Sequence, residues 1–277
     1  MITLNSYAKI NLGLEILKKR ADGFHEVSSI LCKIDLSDQI TFCLSDKNEV
    51  HQKGIKENEN IVFKVLDYMT KKYNTKNKLK IVVDKNIPYS SGMGGGSSNA
   101  ANAIEGINSI LKLNLDSKEK FDIALKFGSD IPFFLSKSTA KVSGRGDKIS
   151  FITKPKLDNV VIFYPNHNLK DKTKNVFQNL ASFSDGSNQK ILLSKINNHK
   201  SLSPPFFNGL EEAANITFID LNIFKSNLLD LGIPNLSMTG AGPTYYSICS
   251  SYKQASHLKD IVNQSNLDIF SFHTKLL

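Results

Sequence analysis

The apolar run from Leu79 to Asp84 alternates as a strand does, and the stretch from Ser97 to about Leu113 has the composition of a helix. Between them the chain reads Pro88, Tyr89, Ser90, Ser91, Gly92, Met93, Gly94, Gly95, Gly96, Ser97, Ser98, Asn99, with four glycines in five positions. Glycine turns with φ > 0 and brings bare N–H groups close to a ligand, while the helix that follows offers unpaired N–H groups and its positive dipole end. The run is an anion cradle, and the phosphates of a nucleotide are its expected guest. It is not a Walker A loop, because no lysine precedes Ser97 or Ser98. It is not a dinucleotide fingerprint either, because Ser97 stands where the third glycine belongs.

At 277 residues the chain can bury a full core in one large domain or two ordinary ones. Its 40% hydrophobic and 22% charged residues describe a globular protein. The net charge of +9 is spread through the whole chain instead of gathering in a basic arm, which argues against nucleic acid and suits a polyanionic small molecule. Arg20 and Arg145 are the only arginines, and both lie in turns with glycine and aspartate, where a planar fork can do what an ammonium cannot. Cys32, Cys43 and Cys249 are odd in number and set in apolar, strand-like sequence, so they read as buried thiols without a disulfide framework. No stretch approaches the ~18 apolar residues of a membrane span and the first residues lack a signal-peptide pattern. These features predict a cytoplasmic protein with no membrane partner. Nothing in them specifies an oligomeric state.

Strands are predicted at Lys9–Leu17 and Gln39–Leu44, joined through the turn Lys19–His25, and a helix at Asn60–Tyr73. Asp116 and Glu119 form a capping-box pattern that opens a helix closed by Gly128. A hairpin is expected at Thr139–Ile152 around Gly144–Asp147, and a strand at Asn159–Tyr164. Three modest helices then lead to a second glycine turn, Met238–Thr244, followed by a strand at Tyr245–Cys249, a helix from Gln254 and a strand at Leu267–Phe272. Composition loosens near 150 to 160, which places a boundary between residues 1–155 and 156–277.

Five segments together resemble the GHMP superfamily of small-molecule kinases: Tyr7–Leu12, Arg20–His25, Pro88–Ala101, Gly128–Phe133 and Thr239–Thr244. The Arg-Ala-Asp-Gly-Phe-His turn is similar to that of one branch, whose members phosphorylate the 2-hydroxyl of a cytidine diphosphate conjugate in non-mevalonate isoprenoid synthesis. The resemblance implies an α+β, two-domain fold, with an N-terminal ATP-binding domain like the second domain of ribosomal protein S5 and a ferredoxin-like C-terminal substrate domain. It implies ATP and Mg²⁺ as cofactors. The triphosphate would be held by loop backbone and helix N-terminus, which agrees with the independent reading of the glycine run.

Phosphoryl transfer needs a positioned hydroxyl, compensation for charge on the γ-phosphate and a destination for a proton. The resemblance assigns these tasks to Lys9 and Asp130; by residue type alone they could equally be a solvated strand lysine and a turn carboxylate. Apolar neighbours would make Asp130 a costly charge unless a cation pairs with it. Asn60, Lys85 and Asn99 are implied near the nucleotide, although Asn60 also reads as an N-cap and Lys85 as a strand end. Ser97 and Ser98 can cap a helix, touch phosphate or ligate Mg²⁺, and the metal ligands are unknown.

The implied cytidine site contains Phe24 and His25, the latter bonding to the base edge, with Phe177 as second stacking ring or as ordinary helix packing. Asn11, Thr239, Gly240 and Gly242 complete the substrate side, the glycines permitting close approach to substrate phosphate. His51, His167, His199, His257 and His273 show no metal-ligand spacing. The competing readings are a kinase for another small alcohol, a nucleotide-binding relative without catalysis and a nucleic-acid-binding module.

Overall fold

The computed structural model describes residues 1–136, 139–165 and 172–277; His167 lies outside the described residues. In chain order the elements are β1 (Ile2–Lys19), β2 (His25–Ser45), β3 (Glu49–Gln52), α1 (Ile61–Lys72), β4 (Lys78–Asp84), α2 (Gly95–Ile110), α3 (Ser117–Phe127), α4 (Ile131–Leu135), β5 (Thr139–Gly144) and β6 (Lys148–Phe151). They continue as β7 (Val160–Pro165), α5 (Lys172–Gln178), α6 (Ser187–Asn197), α7 (Glu211–Thr217), α8 (Leu221–Asp230), β8 (Ser237–Met238), β9 (Tyr245–Ile248), α9 (Tyr252–Gln264) and β10 (Ile269–Thr274). Two compact units emerge: Met1–Ala8, Leu36–Pro88 and Gly94–Lys137 in the first, Lys9–Asp35, Tyr89–Met93 and Ser138–Leu277 in the second. Each unit takes part of the N-terminal strand and part of the glycine run.

In the first unit, residues 39–45 of β2 pair antiparallel with β4, and β3 pairs parallel with β4. Alternation along these strands sends Ile40 and Phe42, with Leu79, Ile81 and Val83, into the core. Helix α2 presents a face of Ala100, Ala101, Ala103, Ile104 and Ile107, and its small residues let the backbone come close. At Gly106 an added Cβ would collide with the Phe42 ring, so the side chain missing at 106 makes room for the aromatic one at 42. Burying such a ring is worth about 1.5–3 kcal/mol. Helix α3 opens with the predicted capping box between Asp116 and Glu119 and stops at Gly128.

In the second unit, residues 27–32 of β2 pair with β5, which turns into β6 as the predicted hairpin. A separate antiparallel sheet has the order β10-β7-β9-β8. Numbered within that sheet the order is fourth, first, third, second, with helices between first and second and between third and fourth. That is the split βαβ arrangement of a ferredoxin-like fold. All six residues of β7 are buried, which is why its sequence is a continuous apolar run instead of an alternating one. Phe163, Tyr245 and Met238 meet Leu221, Phe224, Leu228, Leu258 and Val262 in its core.

Several expectations need correction. Four helices, not three, lie between Pro165 and Met238 among the described residues. Helix α2 starts at Gly95, two residues before Ser97, because Gly94 takes the left-handed conformation (φ 72°) at the N-cap and needs no side-chain cap. Helix α9 starts at Tyr252 because Ser251 accepts a capping bond from the Gln254 N–H. Strands β3 and β8 and helix α4 were not foreseen; at four, two and five residues they are too short to carry a readable period. Among the described residues no helix is long and apolar enough to cross a membrane. All three cysteines are free, and burial pushes the Cys32 thiol up to about 12 and that of Cys249 up to about 11.

Candidate active site

The first unit supplies the helix end of the glycine run. Ser98 N–H donates to the Gly94 carbonyl at 2.9 Å, so the N–H groups of Gly95, Gly96 and Ser97 precede the first intrahelical bond of α2. At Gly96 the space a Cβ would take is open, whereas at Gly95 it would meet Ile87 at 3.0 Å and the Lys85 amine at 3.1 Å. Behind this end of the helix lies Asp38, fully buried. Its Oδ1 accepts the backbone N–H groups of Asn86 at 2.9 Å and Ile87 at 2.8 Å. Its Oδ2 accepts Asn99 Nδ2 at 2.9 Å and pairs with the Lys85 ammonium. Burial holds the Lys85 pKa below its ordinary value even though Asp38 pulls it upward. An ionised carboxylate can only accept, so the Asn99 amide must turn its NH₂ to Asp38; its Oδ1 is buried and has no hydrogen-bond partner among the described residues.

Asn60 is the N-cap of α1, its Oδ1 accepting from Val62 N–H at 2.8 Å, while its NH₂ donates to Gln52. The capping alternative is therefore realised. Asp130 occupies the N-cap position of α4 without making a side-chain capping bond, and it is exposed. The expected cost of a buried Asp130 charge does not arise, and a turn or cap function leaves its carboxylate unexplained.

In the second unit, β1 is buried on both faces from Ala8 through Ile16, so Lys9, 3% exposed, is not a solvated strand lysine. Its ammonium donates to Asn11 Oδ1 at 2.6 Å and to the Gly92 carbonyl at 2.5 Å, and its backbone N–H donates to the Met93 carbonyl at 2.9 Å. Asn11 Oδ1 also accepts the Gly240 N–H at 2.9 Å and the Thr239 hydroxyl at 3.1 Å. Thus Lys9, Asn11, Gly92, Thr239 and Gly240 form one cluster. Gly92 has φ 77°, and a Cβ there would lie 2.6 Å from the Thr239 carbonyl oxygen; one on Gly240 would lie 2.8 Å from that of Gly92. These glycines permit close approach of two protein backbones to each other, where close approach to a phosphate had been expected. A Cβ on Gly242 would instead meet the Met238 side chain, 2.8 Å from its sulfur. Asn208 steadies the turn by donating to the carbonyls of Met238 and Gly240.

Arg20 shows why a fork stands in its turn: Nε reaches Asp22 at 3.0 Å and Nη1 reaches Glu26 at 2.5 Å. Glu26 in turn accepts from Gly144 N–H, and the Arg145 guanidinium lies 5.2 Å from the Phe24 ring centre, at cation–π distance. His25 stacks on Phe177 at 4.9 Å between ring centres and lies 6.2 Å from Phe183. Burial, aided by Lys19, lowers the His25 pKa and favours the neutral ring, which both donates and accepts. Phe177 also packs against the second unit's core, whereas Phe183 is half exposed. Phe183, Asp185, Asn188, Asn208 and Glu212 line a recess of about 240 Å³.

Sequence reasoning missed Asp38, Ser29 and Phe183. An exposed phenylalanine in the polar stretch Ser182–Asp185 was a readable signal for the last. Asp38 lies 47 and 61 positions from Lys85 and Asn99, and no local pattern marks it.

The family model for the GHMP kinases N-terminal domain matches residues 60–138. A Staphylococcus saprophyticus protein, provisionally named a 4-diphosphocytidyl-2-C-methyl-D-erythritol kinase, is 34% identical over 273 residues, 95% of each chain. A Staphylococcus haemolyticus protein with the same provisional name is 32% identical, again over 95% of each. The crystal structure of a 4-(cytidine 5'-diphospho)-2C-methyl-D-erythritol kinase superposes with a TM-score of 0.83 at 23% identity, covering 99% of both chains. Methanococcus jannaschii mevalonate kinase gives 0.68 at 16%, covering 100% of this chain and 98% of its own. The α+β fold is that of the GHMP kinases, and the chain belongs to the 4-diphosphocytidyl-2-C-methyl-D-erythritol kinase family.

Proposed function

We propose that the protein transfers the γ-phosphoryl group of ATP to the 2-hydroxyl of 4-diphosphocytidyl-2-C-methyl-D-erythritol, giving the 2-phosphate and ADP. One observation carries this reading: the glycine run that leads into the N-terminus of α2 is also the segment that grips Lys9, through the carbonyls of Gly92 and Met93. The cradle and the carbonyls that hold Lys9 thus belong to one continuous stretch of sequence. Residues 1–155 make the ATP-binding domain and residues 156–277 the substrate domain, with Phe24 and His25 of the former also serving the second substrate.

In this reading the loop from Pro88 to Asn99 and the first N–H groups of α2 hold the triphosphate. Asn60 and Lys85 border the nucleotide. Asp130 accepts the proton of the attacking hydroxyl, and the Lys9 ammonium offsets charge on the transferring oxygens. The Asn11 amide oxygen and the Gly92 carbonyl direct two of the Lys9 ammonium's N–H bonds before substrate arrives. Neutral His25 reads the cytosine edge, and Phe24 and Phe183 offer ring faces for stacking. Phe177 supports His25 from the core side.

Among the described residues no group of three or more His, Cys, Asp or Glu converges as a metal site. Mg²⁺ fits this chain as an ion carried mainly by phosphate oxygens, near the hydroxyls of Ser97 and Ser98, where it would neutralise phosphate charge. Mass spectrometry of products formed from ATP, Mg²⁺ and the cytidine conjugate tests the proposal, with mevalonate and homoserine as parallel acceptors. Phosphorylation of either of those in preference to the conjugate would overturn the substrate assignment.

A further inference from the structure

Asn11 owes its orientation to a residue outside every motif. Ser29, on β2 and 1% exposed, lies between Asn11 and the Gly13 carbonyl. A carbonyl oxygen can only accept, so the Ser29 hydroxyl donates its single proton to Gly13, at 2.7 Å. The Ser29 oxygen is then left as an acceptor, and Asn11 must face it with the NH₂ group, at 2.8 Å. The amide cannot turn over without setting its NH₂ against the Lys9 ammonium and the Gly240 N–H, three donors with nothing between them to accept. Each direction in the series from Gly13 through Ser29 and Asn11 to Lys9 is thus forced by donor and acceptor chemistry.

We propose that Ser29 is a positioning residue for phosphoryl transfer: it locks the Asn11 amide and thereby the direction of the Lys9 ammonium and the Gly240 turn. This rests on the reading of Lys9 as the cation of the reaction. Without the hydroxyl, the buried Asn11 NH₂ loses its acceptor, and the amide is drawn away from the position that aims the Lys9 ammonium. Misplacing a reacting group by about an ångström can cost on the order of 10²-fold in rate. The nucleotide cradle belongs to other residues and keeps its affinity.

The decisive pair is Ser29→Thr against Ser29→Val, which share a shape and differ in the hydroxyl. Ser29→Val, like Ser29→Ala, should lose about 10- to 100-fold in kcat with KM for ATP changed by less than about 3-fold, and Ser29→Thr should stay near wild type. A second arm uses an Asn11→Asp background, because a carboxylate has no NH₂ that needs the Ser29 oxygen as acceptor. There, adding Ser29→Ala should cost less than about 3-fold, whereas a packing role would cost the same in both backgrounds. Equal kcat for the threonine and valine variants, or wild-type kcat for Ser29→Ala, overturns the inference. Lys9→Ala run alongside separates the two readings: full activity there overturns the mechanism itself, while its loss together with indifferent Ser29 variants overturns the positioning role alone.

Discussion

The two units each hold a lysine beside the glycine run, Lys85 largely buried and Lys9 fully so, and they hold it by different means. In the first, Lys85 is paired with the carboxylate of Asp38, whose remaining lone pairs bind Asn99 and two backbone N–H groups. In the second, Lys9 is oriented by an amide oxygen and a backbone carbonyl, both neutral. A carboxylate fixes a cation and cancels its charge, whereas an amide oxygen or a carbonyl directs a cation without cancelling it. Under the proposed function, the contrast sets a lysine that builds the nucleotide loop against one that serves the reaction.

The sharpest way to break this contrast is at the reaction itself. Asp130→Asn and Lys9→Ala should each retain ATP binding while kcat falls, by ~10²–10⁴-fold for the loss of a general base. If the two act as one unit, the double variant should be little worse than the poorer single one. Isothermal titration beside steady-state kinetics checks both statements, and a folded Asp130→Asn enzyme with wild-type kcat removes that carboxylate from the mechanism.

On the Lys85 side the effect should appear in stability and in nucleotide affinity together. Asp38→Asn leaves a buried ammonium facing a neutral group, a change worth about 3–5 kcal/mol when one partner of a buried pair is lost. Denaturant titration should show that loss, and KM for ATP should rise more than KM for the cytidine conjugate. An unchanged midpoint would make the two lysines equivalent in kind.

Lys33, a third buried lysine, offers a control through pH. Burial pushes its amine from the ordinary 10.5 down to about 8. Between those values the unfolded chain keeps a proton that the folded chain has released, so this group makes stability rise with pH across the window, by up to about 3 kcal/mol. Below about pH 8 both states hold the proton and the burial cost is fully present. Lys33→Met should remove the rise, which urea midpoints at pH 7.5 and about pH 10 would reveal.

The smallest expected effect distinguishes two rings near His25. Phe183→Ala should weaken the cytidine conjugate by roughly 1–3 kcal/mol, as for a lost base stack, with little change in folding stability. Phe177→Ala should instead lower the thermal midpoint, because that ring packs on the core. Competition by CDP in each variant reads the difference, and equal losses of CDP affinity would restore Phe177 as a stacking ring.

Much of this was legible in the chain because it is local. The capping box at Asp116, the hairpin at Gly144, the buried run Val160–Pro165 and the strand–glycine–helix succession each lie within a few residues, where propensity and sterics act directly. The site was legible as residue types: Lys9, Asn11 and the two glycine turns stood in recognisable segments, and the structure brings those four together. Which donor faces which acceptor was not. Ser29 lies 18 positions from Asn11, and Asp38 lies 61 from Asn99.

By itself, then, the sequence determined where the backbone must turn, which faces are apolar, and that a glycine run opens a helix, since those follow from φ/ψ preferences and the period of hydrophobic residues. Tertiary structure decided which lysine meets a carboxylate and which meets a carbonyl, why Gly92 and Gly240 must lack side chains, and which way the amides of Asn11 and Asn99 face. Hydrogen-bond direction depends on partners brought together only when distant strands pair, and the cost of a wrong donor or acceptor becomes large only once water has been excluded.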